Sequence, residues 1–116
     1  MAFRVELSPR AFDDLDSIAA HIRERDAFES AQEWFNGILK AIESLSDLPQ
    51  RCPIAEESRE LGREVRVLLH GRKNRAYKVF FAVQQKGRIV QVFHVRHWAR
   101  QTPSSTEMAA LLAPED

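Results

Sequence analysis

The chain has 116 residues, 17 basic against 17 acidic side chains, 44% hydrophobic and 29% charged residues, the make-up of one soluble globular domain spanning 1–116. Its apolar runs are too short for a membrane helix or a signal peptide, so a cytoplasmic location is expected, and a lone Cys52 excludes an intrachain disulfide or a cysteine-rich zinc site. The neutral total hides a split: residues 1–60 carry 7 basic against 13 acidic side chains, 61–100 carry 10 against 1, and 101–116 carry 0 against 3. One basic and one acidic face should result, and the basic face is the one to ask about phosphate-rich partners.

The opening "FRVELSP" alternates, with Phe3, Val5 and Leu7 on one side and Arg4 and Glu6 on the other, which reads as a half-buried strand. Ser8 then suits a helix N-cap and Pro9 the first helical position, with Asp13 and Asp14 near the positive helix end. Phe12, Leu15, Ile18, Ala19 and Ile22 form an amphipathic stripe. "RERDAF" breaks that pattern as a short connection. A second period runs from Ala27 and Ala31 through Trp34, Phe35, Ile38, Leu39, Ile42 and Leu45, and ends before "DLPQRCP", where two prolines forbid more helix. Together these predict an antiparallel helical hairpin.

Residues 48–63 read as loop. Three strands follow: Glu64–Leu69, Ala76–Val83 and Arg88–Val95, separated by the polar turns "HGRKNR" and "QQKG", which predicts an antiparallel meander. The tail, 101–116, can form one short helix, with Ser104 and Glu107 spaced as a capping box and Met108, Leu111 and Leu112 as its apolar stripe. The predicted class is α+β, in the order β-α-α-β-β-β with a short C-terminal helix. The hairpin packs on one face of an antiparallel sheet and leaves the other partly covered.

This order, with the phrases "VELSPRAFDDL", "LSDLPQRCP", "AYKVFFAV" and "HVRHWAR", resembles the RelE/ParE superfamily of bacterial toxins over about residues 3–100. The resemblance implies the toxin half of a type II toxin–antitoxin module, held inactive in a hetero-oligomer with a cognate antitoxin protein. Some members cut messenger RNA on the ribosome and others poison DNA gyrase, and fold alone does not choose between them. On the nuclease reading, Lys78 falls where such enzymes have an arginine in the central strand. Arg100 falls at their closing arginine, and Arg66 near a basic pair on the preceding strand. The neutral charge and the single tyrosine, Tyr77, favour the gyrase reading. A homologue that only binds its antitoxin is the third alternative.

Metal-free RNA cleavage needs a proton acceptor, a cation beside the phosphorane and a proton donor. His97 is the residue for proton transfer. Lys78, Arg66 and Arg100 would stabilise charge, provided that Lys78 and Arg66 share a face. Arg72, Lys73 and Arg75 in the exposed turn suit phosphates through charge alone. Arg96 and Trp98 at the end of the last strand extend that surface, with Trp98 either stacking on a base or capping the core. His94 and His97, three residues apart on a strand, point to opposite faces with no acid nearby, so no metal and no cofactor is expected.

Overall fold

The computed structural model describes residues 2–72, 75–99 and 105–112, Ser105 by its backbone alone. The chain runs β1 (Arg4–Leu7), α1 (Pro9–Arg25), α2 (Phe28–Glu43), two single 3₁₀ turns (Ser44–Ser46 and Pro49–Arg51), α3 (Ser58–Leu61), β2 (Arg66–His70), β3 (Tyr77–Gln84), β4 (Ile89–His97) and α4 (Ser105–Leu111). The α+β order expected from sequence is present. Four strands form one sheet in the order β1-β4-β3-β2. The β2–β3–β4 meander is antiparallel, and β1 lies parallel to β4, which makes the sheet mixed.

Local chemistry sets the ends of α1. Ser8 has extended backbone and its Oγ accepts the Ala11 N–H at 3.1 Å, with Pro9 opening the helix. That start puts Ala11, Leu15 and Ile22 on the buried side. Phe12 is a correction: it falls about a quarter-turn off that line and is 49% exposed. "RERDAF" is another, because the helix continues to Arg25, whose charge and that of Arg23 suit its negative end. Only Asp26 and Ala27 separate the two helices. At the β2–β3 turn Gly71 has φ 101°, and a Cβ there would stand 2.6 Å from the Arg75 carbonyl oxygen, so only glycine fits.

Alternation along the central strands builds two apolar clusters, one on each sheet face. Val79, Phe81, Val90, Val92 and Val95 pack with Leu15, Ile38, Ile42 and Leu45 of the hairpin side. Phe80 and Phe93 pack the other way with Ala55, Val65 and Met108. That second face is covered more fully than its sequence suggests, since α4 places Met108 in complete burial and Leu61 of α3 joins it. The expected loop 48–63 is tied down by Arg66, which donates to the Cys52 carbonyl oxygen at 2.6 Å and the Gln50 carbonyl oxygen at 3.1 Å. Ser104, the expected cap of α4, lies outside the described residues. Among the described residues no helix is long and apolar enough to cross a membrane.

Replacing Met108 by alanine should cost about 2–5 kcal/mol in urea unfolding, as for other buried large-to-small changes. A loss below about 0.5 kcal/mol would mean that α4 adds nothing to the core.

Candidate functional site

β1 covers only the first half of β4, from Arg4 opposite Ile89 to Leu7 opposite Val92. Past that point α1 takes over. The Ser8 N–H donates to the Val92 carbonyl oxygen at 2.9 Å. Asp14 Oδ2 accepts the Val95 N–H at 3.0 Å and His94 Nδ1 at 2.8 Å, and Asp14 Oδ1 accepts Arg10 Nε at 3.0 Å. A carboxylate only accepts, so His94 Nδ1 carries its proton. Burial pushes the Asp14 carboxyl up, but the bonds from His94, Val95 and Arg10 outweigh it and leave its pKa below the ordinary value.

His94 reaches that carboxylate because β4 carries a bulge. Phe80 opposes His94 while the next residue, Phe81, opposes Val92, so Phe93 is extra. The buried His94 ring stacks on Phe80 with centroids 5.8 Å apart. Its buried Nε2 has no hydrogen-bond partner among the described residues. Among the described residues no three His, Cys, Asp or Glu side chains converge as a metal-ligand set.

Between α1 and this half of β4 lies a cleft of about 410 Å³. Arg10, Asp14, Ser17, Ile18, His21 and Arg25 form its helical wall, and Tyr77 with residues 94–97 the strand wall. The helical spacing of three, four and seven puts these α1 residues on one side. His97 sits edge-on to Tyr77 at 5.2 Å, and Tyr77 edge-on to Trp34 at 5.1 Å. The Ala99 N–H donates to His97 Nδ1 at 3.1 Å, so the neutral His97 ring holds its proton on Nε2. The row continues to His70, opposite Tyr77 on β2. Burial holds the His70 imidazole below its ordinary pKa.

The expected cradle of Lys78 and Arg66 does not form. Lys78 opposes Leu69 and Arg66 opposes Phe81, which places them on opposite faces, three positions apart along the ladder. Arg66 is spent on the 48–53 loop and on Glu64 Oε1 at 2.7 Å, with its side chain 14% exposed. Lys78 instead opposes Arg96. Arg96 is buried, its guanidinium 5.7 Å from the Phe80 ring centre and bonded through Nη1 to the His97 carbonyl oxygen. Desolvation lowers its pKa against the pull of Glu57. Arg72 and Arg75 are exposed in the β2–β3 turn. Trp98 does not cap the core: it is 45% exposed beside that turn, its N–H bonded to the Ala76 carbonyl oxygen. Arg100 and Lys73 lie outside the described residues.

Of the cleft, only His97, Arg96 and the His94 position stood out in the sequence. Arg10, Ser17, His21 and Arg25 were not singled out there, and Asp14 only as an acidic residue near the positive end of the first helix. Their signal was the helical spacing of polar residues opposite a strand ending in "FHVRH".

Residues 5–102 match the family described as the ParE toxin of the type II toxin–antitoxin system parDE. No curated protein matches the chain. A solved structure, the chromosomal ParDE toxin–antitoxin system from P. aeruginosa, superposes with a TM-score of 0.66 at 21% identity. The match covers 83% of this chain and 96% of that one, and it shows a shared fold.

Asp14→Asn should lower stability by about 1–3 kcal/mol near neutral pH, since it disturbs three hydrogen bonds at one partly buried carboxylate. In the wild type the Asp14 contribution is present above the unfolded pKa of about 3.9 and is lost as pH falls through the lower folded value. Urea unfolding against pH should therefore show a loss below about 4 that the variant lacks. His70, with a lowered folded pKa, contributes a separate loss that begins as pH falls below about 6.5 and disappears in His70→Gln.

Proposed function

The chain belongs to the ParE toxin family of type II toxin–antitoxin systems, and we propose on that footing that it arrests bacterial growth when released from its antitoxin. The proposed target is DNA gyrase in the cytoplasm rather than messenger RNA on the ribosome. The observation that carries this choice is the dispersal of the cations that RNA cleavage would need. Arg66 holds a loop on one sheet face while Lys78 projects from the other. Arg66 and Lys78 therefore cannot converge on one phosphate to stabilise a phosphorane. The neutral total charge points the same way.

The basic end of the sheet then serves binding. Arg72 and Arg75 stand exposed beside Trp98, a combination that takes backbone phosphates without reading sequence. Such a surface suits the DNA that gyrase holds, and an acidic antitoxin segment would compete for it.

Purified protein added to gyrase should inhibit supercoiling, and controlled expression should arrest growth with messages intact. The double variant Arg72→Glu/Arg75→Glu, still folded, should lose about tenfold or more in potency, with the loss smaller at high salt. New messenger RNA 5′ ends on expression, abolished by Lys78→Ala or Arg100→Ala, would overturn this reading in favour of the nuclease. A folded protein that neither arrests growth nor inhibits gyrase would leave antitoxin binding as its only role.

A further inference from the structure

The helical hairpin carries a second groove, of about 410 Å³, that no role above uses. Asp16, Ala19, Ala20 and Arg23 of α1 form one bank, and Phe28 and Phe35 of α2 stand on the other. Phe28 is 60% exposed, and Phe12, one turn before Asp16, is 49% exposed. Large apolar groups left open to water along a groove mark a contact surface. We propose that a second copy of this chain docks there, with the two α1 helices meeting antiparallel across a two-fold axis between Ala19 and Ala20.

The order of residues along α1 selects a second copy over other occupants. In a two-fold contact one patch must complement itself, so that each residue meets the one placed symmetrically across the axis. Asp16 stands three residues before Ala19 and Arg23 three residues after Ala20. Asp16 of each copy therefore faces the partner's Arg23, twice over, while Ala19 faces the partner's Ala20. Neither Asp16 nor Arg23 has an ion-pair or side-chain hydrogen-bond partner among the described residues. Phe12, Asp16, Ala19 and Arg23 follow at spacings of four, three and four, which keeps them on one side of the helix. Asp13 and Glu24, which would repel across the axis, lie about a quarter-turn or more further round. A strongly acidic or basic partner would meet one charge of each sign, and only a partner with the reverse order matches both.

Size favours the same crossing. Helix axes pack about 8–10 Å apart according to the side chains at the contact, and the methyl groups of Ala19 and Ala20, both partly open to water, allow close approach. Asp16 and Arg23 are about 10 Å apart along the helix, so the two ion pairs flank one crossing point. Phe12 falls opposite the end of the partner's α1, next to which the partner's Phe28 begins α2. Exposed aromatic rings are thus brought together at both ends, where their burial supplies most of the driving force. The ion pairs, open to solvent, set orientation more than affinity. The contact uses none of the residues assigned above to DNA, and its test is independent of whether gyrase is the target.

The test is sedimentation equilibrium of the full-length protein from micromolar to millimolar concentration, beside Asp16→Arg, Arg23→Asp and an equimolar mixture of the two variants. Both replaced side chains are exposed, and thermal unfolding checks that the variants fold. The wild type should pass from monomer to dimer as concentration rises. Each variant alone sets like charges against each other in both pairs and should weaken the dimer by about tenfold or more. The mixture should restore a one-to-one dimer, because each variant then supplies the sign that the other lacks. The proposal is overturned if the wild type stays monomeric at millimolar concentration, or if both folded variants dimerise as tightly as the wild type. It is also overturned if the mixture associates no better than its components. A chain monomeric throughout, whose α1 and α2 are protected from hydrogen exchange only by a co-expressed antitoxin, would overturn it too and assign this face to the antitoxin.

Discussion

A single carboxylate joins the helical layer to the end of the sheet. β1 runs out at Val92, and without a substitute the second half of β4 would present an unpaired edge to the underside of α1. Asp14 supplies the substitute by accepting the Val95 N–H and His94 Nδ1 on one oxygen and Arg10 on the other. A backbone donor in a partly buried place needs such a partner, because leaving it unmade costs more than the bond itself contributes. The same contact fixes which side of α1 looks down on β4. It therefore determines that Ser17, His21 and Arg25, while remaining exposed, lie along the cleft beside β4.

The bulge in β4 is the second condition. With Phe93 as an extra residue, two neighbouring side chains, Phe93 and His94, meet Phe80 from the same strand. The ring of His94 is thereby held against an aromatic face at the point where Asp14 can reach it. Beyond the bulge the usual alternation resumes, and Val95 returns to the hairpin-side core while Arg96 turns to the opposite face. The strand ends in cations because it leaves the core there. Arg96 lies over Phe80, His97 over the edge of Tyr77, and Trp98 continues into solvent.

Arg66 shows how a plausible functional residue becomes a structural one. It stands on a strand of alternating pattern in the most basic part of the chain, which invites a phosphate-binding role. Its guanidinium instead gathers two carbonyl oxygens of the preceding loop and the Glu64 carboxylate. Carbonyl oxygens in a loop with two prolines have few backbone donors in reach, and an arginine fork meets several at once. Charge density along a sequence therefore does not identify which cations are free to bind a partner.

Much of the architecture was legible in the residues alone. The Ser8–Pro9 start of α1, the periodic stripe of α2 ended by prolines, and the turns between β2, β3 and β4 are local chemistry, acting over a few residues. The four phrases, with the order of elements, sufficed to suggest the family. Short α3 was not legible, since its four residues, Ser58–Leu61, have no period to read. Which cations share a site was decided only by the tertiary structure. His70 pairs with Tyr77, and a slip of one residue in that pairing would have brought Arg66 to the face of Lys78, because strand side chains alternate. The cleft follows the same rule: Asp14 and His94 on its two walls are 80 residues apart in sequence, and only the parallel docking of β1, the bulge at Phe93 and the Asp14 contact bring them together.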